Sequence, residues 1–165
     1  MIEVEELSDR EIDELLSRVG YGHLACSIND DPYVVPVHFA YQNGRIFVYT
    51  TEGKKSQIIG QNPRVCLQAE EVVNNQNWES VIVTGVAERI TEPDEREAAL
   101  SAITKVNPTL TPAVSIHWLD NWIRENIEVV FRITPVRTTG RRAVPPLPEA
   151  PDVIPENDIS RGRIY

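Results

Sequence analysis

A chain of 165 residues, 41% hydrophobic and 25% charged, has the size and make-up of one globular domain with a short appendage, which excludes wholesale disorder. Its formal charge of −9 disfavours nucleic acid and anionic membrane surfaces as partners, because both reward positive charge. No apolar run approaches the length of a bilayer span, and the acidic, amphipathic start MIEVEELSDREIDELL has the wrong character for a targeting peptide, so a soluble cytoplasmic protein is expected.

The first predicted element is a helix over residues 8–19. Ser8 and Glu11 stand at capping-box spacing, Leu7 can staple to Ile12, and Ile12, Leu15, Leu16 and Val19 form one apolar stripe. From Gly20 the pattern changes to β. Segments 22–28, 33–41 and 45–50 are rich in β-branched and aromatic residues, and Asn29-Asp30-Asp31-Pro32 and Asn43-Gly44 between them supply turn chemistry, so a meander is predicted. A short helix follows at 54–61, stopped at Asn62-Pro63. Strands are predicted at 64–70 and 79–90, and a helix at 93–106 with Pro93 in its first turn. Residues 107–126, with Trp118, Leu119, Trp122 and Ile123, read as either a short amphipathic helix or a packed loop. A last strand at 127–134 leads to a proline-rich tail, and the chain divides into a domain over 1–140 and a tail over 141–165. About six strands with few, short helices predict a mainly β, antiparallel barrel.

Two places can carry chemistry. The first is Thr50-Thr51-Glu52-Gly53-Lys54-Lys55-Ser56, where a strand passes through a glycine turn into a helix. A helix start offers free N–H groups and partial positive charge, and here two lysines and three hydroxyls join it. Across residues 45–67, Arg45, Lys54, Lys55 and Arg64 face only Glu52, a local positive surplus in an acidic chain. The same stretch also reads as a plain solvated helix start. The second is Pro36, inside the run Tyr33–Tyr41. Proline cannot donate to a ladder, so it marks an edge, a bulge or an opened strand whose free peptide groups can meet a planar heterocycle. Alternation puts Val34, Pro36 and His38 on one face and Tyr33, Val35, Val37 and Phe39 on the other. His38 is the histidine beside that proline; His23 and His117 have no partner at metal-ligand spacing, and no metal site is expected. Cys26 and Cys66 read as reduced core thiols, and Trp78, Trp118 and Trp122 first of all as packing residues.

In order, these pieces run GHLACSINDDPYVVPVHFAYQNGRIFVYTTEGKKSQIIGQNPRVCLQAEE and then WESVIVTGVAERI. The ordered set, over roughly residues 5–140, resembles the pyridoxamine 5′-phosphate oxidase-like FMN-binding split barrels, nearest the branch that includes the nitroimidazole-resistance proteins. The resemblance implies a six-stranded Greek-key barrel that pairs into a homodimer with FMN in two clefts between subunits. It implies that Lys54 and Lys55 hold the FMN phosphate with hydroxyls from Thr50, Thr51 and Ser56. Val35, Pro36 and Val37 would lie along the isoalloxazine, and Trp78 and Ser80 would reach the flavin from the second subunit. His38 falls near the position of an active-site histidine in the nitroimidazole-resistance branch. The C-terminal Trp and Arg-Leu segment that holds substrate in the true oxidases is replaced by FRITPVRTTGRRAV, so the vitamin reaction is not implied. The basic pair is Lys-Lys rather than Arg-Lys, without arginine's planar fork. The function expected is flavin-dependent reduction of a small nitro- or quinone-like acceptor with electrons from NADH or NADPH. The alternatives are a non-catalytic flavin carrier or sensor, a haem- or deazaflavin-binding barrel, and an interaction module acting through the tail.

Overall fold

The computed structural model describes residues 2–108 and 128–144. The ambiguous segment around Trp118–Ile123, His117 and the tail beyond Val144 lie outside the described residues. The elements run β1 (Glu3–Glu6), α1 (Asp9–Arg18), β2 (Tyr21–Ile28), β3 (Asp31–Gln42), β4 (Arg45–Thr51), α2 (Lys54–Gln61), β5 (Arg64–Asn74), β6 (Asn77–Arg89), α3 (Pro93–Val106) and β7 (Glu128–Val144). All described strand pairs are antiparallel, in the order β1-β7-β4-β3-β2-β5-β6, and β6 pairs back onto β7. The six strands β2–β7 therefore close a ring, as anticipated. The seventh, β1, was not anticipated and lies against the last four residues of β7.

Local chemistry accounts for the hairpins. Asn29 and Asp30, and Asn43 and Gly44, all take positive φ, the geometry that lets a two-residue turn follow the right-handed twist of its strands. β7 is longer than predicted because Pro135 and Gly140 look like loop residues. Pro135 sits where the β6–β7 register shifts between Thr84 and Gly85, a bulge at which a missing N–H costs no ladder bond. Gly140 lies under α1: a Cβ there would come within 2.9 Å of the Leu7 and Ile12 side chains.

Inward positions fill the barrel. Leu24, Phe39, Ile46, Val48, Leu67, Val81, Val83 and Ile133 are fully buried, and Leu15 and Leu16 of α1 join the same cluster. The Ser8–Glu11 capping box forms as predicted, with Ser8 N–H donating to Glu11 at 2.8 Å. A second cluster lies outside the ring, where Ala99 and Ile103 of α3 cover Ala40, Tyr49 and Val130. In contrast, Tyr21, Val34, Val72 and Ile82 are exposed, and cross-strand register puts them on the outer side of β3, β2, β5 and β6.

Candidate functional site

The β3 strand is paired unequally along its two edges. Its residues 31–38 pair with β2 over the full length of that strand, but only His38–Gln42 pair with β4. The stretch from Asp31 to Val37 thus presents one ladder edge to no described strand, with Pro36 within it. The inference from Pro36 holds in this form: the strand is split from its neighbour on one side only. Alternation also holds, since Tyr33, Val35, Val37 and Phe39 turn toward the core while Val34 and Pro36 are exposed. Phe39 N–H donates to Gly20 on the β2 side, so by alternation Val35 and Val37 spend their own N–H and C=O groups on β2, and the free edge is left to the N–H and C=O of Val34 and the C=O of Pro36.

The start of α2 abuts this edge. β4 ends at Thr51, Gly53 is the N-cap of α2, and Lys54 and Lys55 occupy the first two helical positions, where backbone N–H groups have no intrahelical acceptor. The Lys54 ammonium lies over the Tyr33 ring, 4.7 Å from its centroid, which ties the helix start to the unpaired segment of β3. Lys55 is half-buried, and burial pushes its pKa down; the neighbouring Cys26 and Glu52 pull the other way. Among the described residues neither lysine forms an ion pair. A desolvated cation without a counter-ion, beside free N–H groups, fits an anionic ligand group.

The hydroxyls divide. Thr51 is half-buried at the end of β4, while Thr50 is buried. Ser56 is buried and already committed: its Oγ accepts from Gly53 N–H at 2.9 Å and donates to Glu52 at 2.7 Å. It closes the turn rather than standing open to a ligand. Glu52 is held below the usual carboxylate range by that bond and by Arg89, with which it forms an ion pair. This clamp was missed in the sequence because Arg89 belongs to β6. A hollow of about 360 Å3 behind α2, lined by Ser56, Ile59, Gly60, Pro63, Arg89 and Phe131 among others, includes neither lysine.

His38 sits at the opposite end of the split segment, paired across the ladders with both Tyr21 and Tyr49. The Tyr21 ring meets it edge-on at 5.7 Å, and its Nδ1, shielded from solvent, has no partner among the described residues. Trp78 and Ser80 lie at the far end of the β5–β6 hairpin, with Trp78 opposite Val72. From Arg64, just after α2, to Val72 is eight residues of strand, about 26 Å at ~3.3 Å per residue. A single protomer therefore does not bring Trp78 and Ser80 to the lysines.

A closed antiparallel ring with one strand split from its neighbour and a basic helix start at the split defines a split-barrel ligand-binding protein. The model of the pyridoxamine 5′-phosphate oxidase family matches residues 8–142, and the chain belongs to that family. Among solved structures, an FAD-binding protein from Mesorhizobium loti is 29% identical with a TM-score of 0.71, covering 87% of this chain and 99% of that one. A protein from Bacteroides thetaiotaomicron, provisionally described as a 5-nitroimidazole antibiotic resistance protein, shares the fold. It is 18% identical, with a TM-score of 0.65 and coverage of 87% and 89%. An uncharacterised protein of Rhizobium meliloti is 34% identical over 82 residues, half of this chain and 54% of that protein, so the match spans about half the length of this curated relative. No helix among the described residues is long and apolar enough to cross a membrane.

Proposed function

We propose that this protein binds FMN and is a flavin-dependent oxidoreductase that passes electrons from NADH or NADPH to a small nitro- or quinone-like acceptor. The observation that carries the reading is the junction of two features: an uncompensated lysine pair at a helix start, and a strand segment with one free ladder edge. A phosphate and a planar ring joined by a short flexible chain are complementary to that junction. Lys54, Lys55 and the α2 N–H groups hold the phosphate, Gly53 and Thr51 leave it room, and the segment Val35-Pro36-Val37 lies along the ring, with the Pro36 C=O at its free edge. When bound, the flavin supplies the hydride chemistry. The chain's own residues bind, orient and exclude water, and in this reading His38 holds a proton beside the acceptor.

The reading includes a homodimer. Two features support it: the outer face of β2, β3, β5 and β6 exposes Tyr21, Val34, Val72 and Ile82, and Trp78 and Ser80 reach a flavin only if a second copy brings them. A second choice of cofactor is favoured by the M. loti relative, which binds FAD.

The test is the visible spectrum of the purified protein before and after FMN is offered and desalted away, with the released flavin identified by chromatography. Retained FMN and steady oxidation of NADH or NADPH with a nitro or quinone acceptor are expected. Retained flavin without turnover makes the protein a carrier or sensor. A Soret band redirects the assignment to haem, and a colourless protein refutes the flavin reading.

A further inference from the structure

Beside Pro36, on the outer face, lies a cleft of about 250 Å3 lined by Tyr21, Gly22, His23, Gln68, Glu70 and Val72. It has room for a single ring rather than a drug-sized molecule, whose pockets begin near ~300 Å3. His23 is the direct cross-strand partner of Pro36 on one side and of Gln68 on the other. Gly22 permits this approach, because a Cβ there would lie 2.5 Å from the Gln68 carbonyl oxygen.

The hydrogen bonds across the cleft fix how His23 presents itself. The Gln68 side-chain nitrogen donates to the Glu70 carboxylate at 3.0 Å and to Ser80 Oγ at 3.3 Å. A carboxylate accepts only, so the amide must turn its nitrogen that way and its oxygen toward His23. That oxygen lies 3.3 Å from His23 Nδ1, which must then carry the proton. In the neutral ring Nε2 is left with a lone pair, and its orientation is held by Gln68. The Tyr21 ring stands edge-on to His23 at 5.8 Å and also to His38.

We infer that this cleft is a recognition site for a planar heteroaromatic ligand bearing a primary amide or amine, with Gln68 as the residue that positions His23. Two acceptors are offered at this cleft, the lone pair of His23 Nε2 and the carboxylate of Glu70, beside the Tyr21 hydroxyl, which can donate or accept. Tyr21 and Val72, on the face the homodimer reading assigns to the subunit interface, offer apolar surface to a ring held at the edge of that interface. An isosteric ligand with a carboxylate in place of the amide brings a negative charge against Glu70 and no N–H for His23. The cleft thus discriminates nicotinamide from nicotinate. Its assignment to the nicotinamide ring of the electron donor rests on the flavin reading above; the binding itself does not.

The probes are nicotinamide and nicotinate, titrated into the full chain and followed by NMR of the His23 and Gln68 side chains, with and without FMN. With the imidazoles neutral, His23 is expected to show a protonated Nδ1 and a bare Nε2. Nicotinamide should shift both side chains and bind at least tenfold more tightly than nicotinate. Glu70→Gln should narrow that ratio, and Gln68→Leu should abolish both the tautomer signature and the preference. Equal binding of the two probes, no shift at His23, or the opposite tautomer overturns the inference. If FMN binds but nicotinamide does not, the cleft assignment fails alone; if nicotinamide binds with preference but FMN does not, only the flavin reading fails.

Discussion

Lys55 offers a test in which two measurements must move in opposite directions. Its ammonium is half-buried with no ion partner among the described residues, so in the ligand-free protein it costs stability, and its lowered pKa is the mark of that cost. Substituting Lys55→Met keeps the alkyl stem and removes the charge. Replacing a buried ion pair by apolar side chains gains about 1–4 kcal/mol, and for a single half-buried charge the low end applies. About 1 kcal/mol corresponds to a rise of roughly 2–4 °C in Tm for a chain of this size. The same change removes a charge-assisted contact to the phosphate, worth roughly 1.5–3 kcal/mol, or about 10- to 150-fold in Kd. Lys54 is exposed, and losing its cation–π contact with Tyr33 costs only ~0.5–1 kcal/mol. Lys54→Met should therefore weaken FMN less and not raise Tm. The assays are thermal melts of flavin-free protein and fluorescence titration with FMN and with riboflavin, which lacks the phosphate. Lys55→Met should bind riboflavin as the parent does and FMN much more weakly. A variant that loses both flavins equally, or that melts lower without ligand, refutes the placement of an uncompensated anchor at Lys55.

Three further outcomes follow from the structure. Ser8→Ala removes the cap from α1, whose Leu15 and Leu16 help fill the barrel, and should lower stability by about 1 kcal/mol in urea denaturation. Gly22→Ala forces apart the β2 and β5 backbones at Gln68 and should cost roughly 1–3 kcal/mol as overpacking, with His23 losing its contact to Gln68 in NMR spectra. Tyr41, bonded to Asp13, and Tyr49, beside Glu128, both have their pKa pushed up to about 12, chiefly by burial. Because the fold holds these protons more tightly than the unfolded chain, their contribution is complete below the ordinary value near 10 and falls away as pH rises toward about 12. Alkaline melts should show that loss, and Tyr41→Phe should reduce it.

The elements that could be read from the sequence were those whose ends carry their own chemistry. The helices at 54–61 and 93–106 match to the residue, since Gly53, Pro93 and Asn62-Pro63 act within one turn of where they stand. The turns at Asn29-Asp30 and Asn43-Gly44 are likewise satisfied by their own backbone preferences. β1 escaped because Glu3–Glu6 is exposed throughout and buries no apolar face; its ladder partners lie near residue 144, at the other end of the described chain. The second half of β7 escaped because Pro135 and Gly140 are tolerated only by a bulge in β7 at Val136 and by the close seat of α1.

Site chemistry divides in the same way. Two lysines at a helix start and a proline in an apolar strand are local facts, and the sequence alone determined both, together with the alternation that turns Pro36 outward and Val35 and Val37 inward. Only the tertiary structure decided that Lys54 stands over Tyr33, that Lys55 is desolvated and that Ser56 is spent on Glu52 and Gly53. It also decided that Gln68, 45 residues away along the chain, lies against His23 Nδ1. Such relations depend on which strands become neighbours and in what register, and a one-residue shift would turn each side chain to the opposite face. Local propensity sets what each segment can offer; ring closure, made by long-range pairing, determines which offers meet.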